Sequence, residues 1–374
     1  MSAPCVAVVG NPENRRVLSF VEAAERLGLP RPQVVPWRDV IRDPSVLAGL
    51  PAGGVRLESV GEDVEVAELL LDRGLAAARA WGCEVVEPGE GRRDFGRVLG
   101  PRQAHLGFLA VLDDLEAVLT ERGDLTSLQP LDTIRACFDK NVTARVLESA
   151  GVPVARAIPC DTASDVLAAH QRERRPLWVK VTCASSASCL AVVRGAGPVH
   201  LMTTLHQGPS GRFNSLRLCR VGGDDVVPTL DWLLAEGARV EVDLPKARLD
   251  GAVFDLRVLV IRGEPRFLVV RQSRHPITNL HLGGWRGDPD ALWRFLGPHG
   301  REALIEVCRG VGRALPHWHL GVDVLVGPDG TLAVLEVNAF GDLLPRLENA
   351  GLDTYGAEIA AILPHAGLPM LHSL

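Results

Sequence analysis

One stretch of the chain, residues 321–342 (GVDVLVGPDGTLAVLEVNAFGD), predicts two β-strands joined by a tight turn. Residues 322–326 and 331–337 are rich in β-branched and apolar side chains, as strands are. The Gly-Pro-Asp-Gly sequence between them is typical of a turn. The stretch therefore predicts a β-hairpin that carries carboxylates on otherwise apolar strands.

The register of this hairpin decides which polar side chains meet. A turn closed around the central Pro-Asp pair places Asp323 opposite Val334, and side-chain alternation then puts Glu336 and Asn338 on the same face. Three oxygen ligands on one face suit Mg²⁺ or Mn²⁺ that is also held by nucleotide phosphates. The alternative is a solvated hairpin with ordinary surface acids. It is disfavoured because carboxylates on an apolar strand are costly unless paired or metal-bound.

Length and composition indicate a soluble enzyme of more than one unit. With 374 residues, two or three subdomains are expected, and 47% hydrophobic and 23% charged residues are ordinary values. The net charge of −6 without blocks of like charge gives no support for nucleic-acid or anionic-membrane binding. No apolar run reaches membrane-spanning length and no signal peptide is evident, so a cytoplasmic location is expected.

Lysine is rare in this chain. Of the 40 basic residues, only Lys140, Lys180 and Lys246 are lysines. A compact ammonium differs physically from the planar fork of arginine, and each lysine is a candidate for contact with a phosphate oxygen. Chance retention explains any one of them, but explains all three less well once their contexts are considered.

The predicted elements indicate an α/β unit at the N-terminus, followed by a strand–loop–strand segment further along the chain. Strands at residues 4–10 and 34–37 flank a helix at 17–27, which is Rossmann-like but lacks a GxGxxG motif, so no dinucleotide is assigned. Residues 81–104 predict a loop, and residues 155–159 a strand. Further along, a strand holding Lys180, a small polar loop at 182–189 and a strand at 190–193 form a flap whose backbone can cover phosphates.

Several short motifs, in this order and spacing, resemble the ATP-grasp superfamily. They are Asp139-Lys140 before a helix that ends in GVPV, WVK at 178–180, GVD at 321–323 and EVN thirteen residues further on. FDLRVLV at 254–260, Arg271 and PITNLHLGG at 276–284 are similar to the branch that contains ribosomal protein glutamate ligase and related amino-acid ligases. The resemblance spans about residues 131–345.

The resemblance implies a fold of three parts. A Rossmann-like N-terminal α/β domain would occupy residues 1–130, and a two-subdomain ATP-grasp fold would follow. Its small subdomain with the flap would occupy 131–236, and its central subdomain with the metal hairpin 237–374.

The resemblance also implies roles for nucleotide-binding residues. Lys140 and Lys180 would contact the phosphates of ATP, beneath the loop that holds Ser185 and Ser186. The hinge would include Val242 and Leu244 at the base, with Glu241 the first candidate and Asp243 the second for a ribose hydroxyl. Lys246 would bind nucleotide or substrate, and a solvated loop lysine is an equal alternative.

By the same resemblance, Asp323, Glu336 and Asn338 would hold Mg²⁺ (or Mn²⁺) against the phosphates. Arg257 would steady the γ-phosphate and an acyl-phosphate, unless it forms only a structural salt bridge, and Arg271 and Asn279 would assist. Two features depart from relatives. The flap loop lacks their glycines, and the segment 198–226 is longer.

The activity implied is an ATP-dependent carboxylate–amine (or thiol) ligase that forms an acyl-phosphate and releases ADP and phosphate. The acid and the amine stay open, as does the choice between a small molecule and a peptide or protein. A kinase-like phosphoryl transfer and an inactive nucleotide-binding or scaffold protein are the alternatives. Because relatives are often dimers or tetramers, a homo-oligomer is one expectation.

Overall fold

The computed structural model describes residues 5–61, 63–90, 96–184, 187–208, 210–341, 344–363 and 369–374. These residues form three β-sheets with helices packed against them, which confirms the predicted α/β class. No helix in the described ranges is both long and apolar enough to cross a membrane.

The N-terminal sheet is parallel, with the strand order β2-β1-β3-β4. Its strands are β1 (Cys5–Gly10), β2 (Gln33–Pro36), β3 (Gly53–Leu57) and β4 (Leu125–Ser127). Its helices are α1 (Arg15–Arg26), α2 (Trp37–Arg42), α3 (Val64–Trp81) and α4 (Pro101–Arg122). The loop predicted over 81–104 ends earlier than expected, because Pro101 begins α4. Gly100, just before it, adopts a left-handed conformation.

Helices α3 and α4 cross at a very short distance because each has a glycine at the crossing. A Cβ atom on Gly74 would lie 1.9 Å from the Gln103 carbonyl oxygen, and one on Gly107 would lie 1.9 Å from the Leu70 carbonyl oxygen. Only glycine permits this approach. The close packing fixes α4, which forms one wall of a cavity described below.

The second sheet is antiparallel, with the order β8-β7-β6-β5-β9 and an apolar core of its own. Its strands are β5 (Leu177–Val181), β6 (Leu190–Arg194), β7 (His200–Gly208), β8 (Gly211–Gly222) and β9 (Ala238–Val242). Before it lie α5 (Leu131–Cys137) and α6 (Lys140–Ser149), and it packs against α7 (Ala163–Glu173) and α8 (Val226–Ala235). The long segment 198–226 is mostly the β7–β8 hairpin. Residues 155–159 form no strand and contribute a single bridge from Ala157 to Glu241.

The third sheet has the order β13-β12-β11-β14-β15, with β10 paired to β11. Its strands are β10 (Arg248–Leu249), β11 (Ala252–Ile261), β12 (Glu264–Ser273), β13 (Trp285–Arg286), β14 (His319–Val326) and β15 (Leu332–Asn338). This part of the chain also contains α9 (Pro289–Ala314), which lies between β13 and β14 and is interrupted at Gly297, and α10 (Thr354–Ile362) after β15. One apolar core contains residues of both the N-terminal and the third sheet, so these two units pack as one body.

A buried charge cluster joins the same two units. Arg56 of β3 donates to Glu58 over 2.7 Å and to Glu358 of α10 over 2.9 Å. Arg16 donates to the other oxygen of Glu58, also over 2.7 Å. Glu58 is fully buried, and burial alone would raise its pKa. The Arg16 and Arg56 charges outweigh burial and lower the pKa to about 2.

Candidate active site

A cavity of about 700 Å³ lies where the three sheets meet. The N-terminal sheet contributes Arg16, Ser59 and Gly61 from the segments that follow β1 and β3. Ligands of open parallel sheets bind at these carboxyl ends of strands. The second and third sheets supply the opposite walls. Of the sequence-predicted lysines and carboxylates, all but Asp243 line this one cavity.

Lys140 is placed by the start of α6. The Asp139 side chain caps the helix by accepting from the backbone of Asn141 over 2.8 Å, which fixes Lys140 as the first helical residue. Its Nζ donates to the Ala184 carbonyl oxygen over 2.6 Å and lies 3.1 Å from Glu336 Oε1. The lysine therefore links the loop after β5 to β15.

Lys180 of β5 points into the cavity beside β9. Its Nζ lies 2.6 Å from Glu241 Oε2, and Arg239 Nε donates to Glu241 Oε1 over 2.7 Å. Burial alone would raise the pKa of Glu241, but Lys180 and Arg239 outweigh it and lower this pKa. Both Glu241 oxygens thus have cationic partners. Asp243, the second ribose candidate, accepts from Trp178 Nε1 over 2.6 Å.

The predicted hinge forms an apolar part of the wall. Val242 and Leu244 line the cavity, and Leu325 and Leu335 of the third sheet line it as well. Aliphatic side chains from two sheets are a suitable surface for the flat faces of a nucleobase. Ser185 and Ser186 of the predicted flap loop lie outside the described residues.

Lys246 belongs to a buried polar network rather than to a solvated loop. Its Nζ lies 3.0 Å from Asp255 Oδ2 and donates to Thr278 Oγ1 over 2.8 Å, and Arg271 Nε donates to Asp255 Oδ1 over 2.8 Å. Burial would raise the pKa of Asp255, but the Lys246 and Arg271 charges hold it well below its usual range. Burial lowers the pKa of Lys246.

Arg257 and Arg271 extend this network to the hairpin. Arg257 Nη2 donates to Asp323 Oδ2 over 3.1 Å, and Arg271 Nη2 lies 3.1 Å from the same oxygen. Both arginines line the cavity, so their charge is available to an anionic ligand there. Asn279 also lines the cavity, and its side-chain oxygen caps a short 3₁₀ turn by accepting from the His281 backbone over 2.8 Å.

The predicted hairpin is present, but its predicted register was wrong. Val324 pairs with Val334 and Asp323 pairs with Glu336, so a β-bulge places Leu335 as an additional residue between the two pairs. The turn also contains one more residue than expected, because Gly327 N donates to the Thr331 carbonyl oxygen over 2.7 Å. The two carboxylates are therefore direct cross-strand neighbours, which is closer than the predicted diagonal.

The donor atoms of the hairpin fit a divalent cation that shares phosphate ligands. Asp323, Glu336 and Asn338 all line the cavity, and the Asn338 amide nitrogen donates to the Gly321 carbonyl oxygen over 3.3 Å, which keeps its oxygen for a cation. Two carboxylates and an amide oxygen, completed by phosphate oxygens, suit Mg²⁺. Within the described ranges, no group of three or more His, Cys, Asp and Glu side chains forms a self-sufficient metal site.

Sequence reasoning missed the residues that connect these groups. Asp255 and Thr278 anchor the lysine and arginine side chains, and Arg16 lines the cavity from the N-terminal unit. A buried aspartate on the apolar strand β11 was the available signal for Asp255, because such a carboxylate needs cationic partners. Nothing local in the sequence identified Arg16.

Comparison with solved structures gives the class of fold. D-cycloserine synthetase DcsG superposes with a TM-score of 0.56 at 16% identity, covering 97% of this chain and 99% of that chain. The ATP-grasp ligase PsnB, complexed with precursor peptide PsnA2 and AMPPNP, gives 0.51 at 17% identity, covering 97% and 99%. The ADP complex of PurK, N5-carboxyaminoimidazole ribonucleotide synthetase, gives 0.55 at 12%, covering 100% and 80%.

These likenesses extend over nearly the whole chain, so the chain has the ATP-grasp fold seen in these enzymes. No protein-family model and no curated protein sequence matches it. At these identities the likeness establishes the fold, and the activity must be argued from the cavity itself.

Proposed function

We propose that this protein is an ATP-dependent carboxylate–amine ligase. The observation that carries the proposal is the arrangement of Lys140, Lys180 and the Asp323–Glu336 pair around one cavity of an ATP-grasp fold. Two ammonium groups and two carboxylates are what a metal-bound triphosphate requires in a site shielded from water.

The nucleotide would lie between the second and third sheets. Its base would contact Val242 and Leu244, and its phosphates would lie near Lys140 and Lys180, whose ammonium groups now pair with Glu336 and Glu241. Phosphate oxygens compete well for such ammonium groups because they carry more charge than a carboxylate. ATP binding would therefore exchange partners within the cavity.

Asp323, Glu336 and Asn338 are the residues that would hold Mg²⁺ (or Mn²⁺), which would supply charge neutralisation at the phosphates. Arg257 and Arg271, which contact Asp323 at the cavity wall, would direct part of their charge toward the transferred phosphoryl group. Asn279 would assist at the same end of the cavity.

The proposed reaction has two steps and needs no protein nucleophile. A substrate carboxylate oxygen attacks the γ-phosphorus, and the bond to the β-phosphate oxygen breaks, giving an acyl-phosphate and ADP. An amine nitrogen then attacks the acyl carbon, phosphate leaves with the C–O electron pair, and the amine proton passes to phosphate or solvent. Positioning and charge neutralisation carry the catalysis.

The test traps the acyl-phosphate. Purified protein is incubated with ATP, Mg²⁺, hydroxylamine and a panel of amino acids and acidic peptides, since PsnB is solved with a precursor peptide. ADP and hydroxamate are measured for the wild type, for Arg257→Lys, and for Arg248→Lys as a surface control on the same sheet. We expect acid-dependent hydroxamate that only Arg257→Lys abolishes.

Two other results would overturn the proposal. ADP release with a phosphoester product would indicate the kinase alternative. Failure to bind AMPPNP with or without Mg²⁺ would indicate an inactive or scaffold protein.

A further inference from the structure

A second cavity of about 390 Å³ adjoins the first, on the other side of the loop after β5. Helix α4 supplies Ala104, His105 and Phe108 to its wall, and the β7–β8 hairpin supplies Asn214. Phe138, Cys183, Ala184 and Ser188 line both cavities, so this second chamber shares a boundary with the region of Lys140. The second chamber is thus next to the proposed phosphate end of the nucleotide site.

The second chamber is mostly apolar but contains two polar side chains with unused hydrogen-bonding capacity. His105 is 93% buried (7% exposed), and its Nδ1 has no partner among the described residues. Asn214 Oδ1 is buried and also has no partner there. Buried polar atoms are nearly always satisfied, so two such residues around one apolar cavity point to a missing ligand.

The chemistry of the two side chains favours a ligand that donates hydrogen bonds. An amide oxygen only accepts. Burial and the Arg102 charge lower the pKa of His105 to about 4, so its neutral ring can accept as well. The His105 ring stacks on Phe138, with centroids 6.3 Å apart and an interplanar angle of 15°, which holds the ring in place. A carboxylate has no N–H group for these two acceptors, and Arg97, the cationic residue that lines this chamber, already has an interaction of its own.

We propose that the second chamber binds the amine substrate, as a neutral primary amine with an apolar group, and that His105 and Asn214 accept its N–H bonds. This inference rests on the proposed ligase function. Only an unprotonated amine can attack an acyl-phosphate. An apolar chamber close to the Lys140 ammonium disfavours the ammonium form and so favours the nucleophilic one. His105 acts as a positioning residue.

The test uses O-benzylhydroxylamine, an amine that is neutral at neutral pH and carries an apolar ring. Its binding to AMPPNP–Mg²⁺-loaded protein is measured by calorimetry, with O-methylhydroxylamine and phenylacetate as probes that lack the ring and the amine respectively. We expect O-benzylhydroxylamine to bind and the other two to bind at least tenfold more weakly, because the ring fills the chamber and the amine satisfies its polar groups.

Variants assign the binding to the second chamber. Ala104→Phe fills it and should weaken O-benzylhydroxylamine binding more than tenfold, whereas Ala110→Phe, elsewhere on α4, should not. His105→Phe keeps the stack on Phe138 and Asn214→Leu keeps the volume, and each should weaken binding about fivefold, the usual effect of one lost hydrogen bond. AMPPNP affinity, unchanged in all four variants, shows that each is folded.

The outcomes separate the two proposals. If AMPPNP binds but O-benzylhydroxylamine does not, or if Ala104→Phe, His105→Phe and Asn214→Leu all bind it as the wild type does, the second-chamber proposal is wrong and the ligase proposal stands. Tighter binding of phenylacetate than of the amine overturns the assignment to an amine. If AMPPNP does not bind, the ligase proposal fails. O-benzylhydroxylamine titrated without nucleotide then tests the second chamber directly.

Discussion

Asp323 and Glu336 lie directly opposite each other on β14 and β15, so two carboxylates meet on an otherwise apolar hairpin. Such a pair repels unless cations compensate it. Arg257 and Arg271 contact Asp323, and Lys140 contacts Glu336. The two acids thus bring three cationic side chains of the cavity close together, where a metal-bound triphosphate would need them.

Glu336→Gln should reduce Mg²⁺-dependent ADP release at least a hundredfold while leaving the protein folded. The amide preserves the shape of the side chain but removes the charge that a divalent cation requires. Steady-state ADP release and thermal unfolding measure the two effects, and Glu302→Gln on the exposed face of α9 is the matched control. Undiminished turnover would exclude the hairpin from the site.

Lys180→Arg should weaken AMPPNP binding about tenfold although it preserves the charge. Lys180 lies 2.6 Å from Glu241 in a confined wall, where the larger planar fork cannot replace a compact ammonium. Calorimetric titration measures the affinity, and Arg217→Lys on the exposed part of β8 controls for an exchange of the two residue types. Equal affinity in wild type and Lys180→Arg would contradict a point-charge role for this lysine.

Local patterns in the sequence were enough to predict the strands at Lys180 and in the 321–338 hairpin, because alternation and turn residues act over a few positions. They were not enough to predict the register. Neither the additional residue in the turn nor the additional residue Leu335 leaves a mark in a period-two pattern, so Asp323 was placed opposite Val334 instead of Glu336.

Long-range relationships were hidden for a different reason. Asp255 obtains its partners Lys246 and Arg271 from neighbouring segments of the third sheet. His105 and Asn214 line one cavity only because α4 lies beside the second sheet. Such contacts depend on how the sheets are placed in space. The resemblance to a known family supplied the proposed nucleotide site, but no motif indicated the second chamber.

Asp255→Asn should destabilise the fold by about 3–5 kcal/mol, because it leaves Lys246 and Arg271 buried without their shared counter-charge. Urea unfolding measures the change. Asp250→Asn is the matched control, since Asp250 is exposed in the nearby turn and asparagine tolerates its left-handed backbone. A loss below about 1 kcal/mol, the usual limit for an exposed pair, would mean that the network is not buried as described.

Acid should destabilise the buried charge cluster between the N-terminal and third sheets by protonating Glu58. The folded pKa of Glu58, about 2, lies below the ordinary glutamate value of 4.5, so its ionisation stabilises the fold above about pH 4.5. That contribution, at most about 3 kcal/mol, should disappear as pH falls toward 2. We therefore expect the free energy of unfolding of the wild type to fall more steeply between pH 5 and 3 than that of Glu58→Gln.

Urea unfolding at a series of pH values measures both slopes, and Glu68→Gln on the exposed face of α3 is the control. Glu358 shares Arg56 with Glu58, and burial raises its pKa, so its titration opposes the effect. Because the Glu58 charge also raises the pKa of Glu358, the same comparison is made in a Glu358→Gln background, where the difference between the slopes isolates Glu58. Parallel slopes would show that Arg16 and Arg56 do not lower the pKa of Glu58, and that the two units are held together by apolar packing alone.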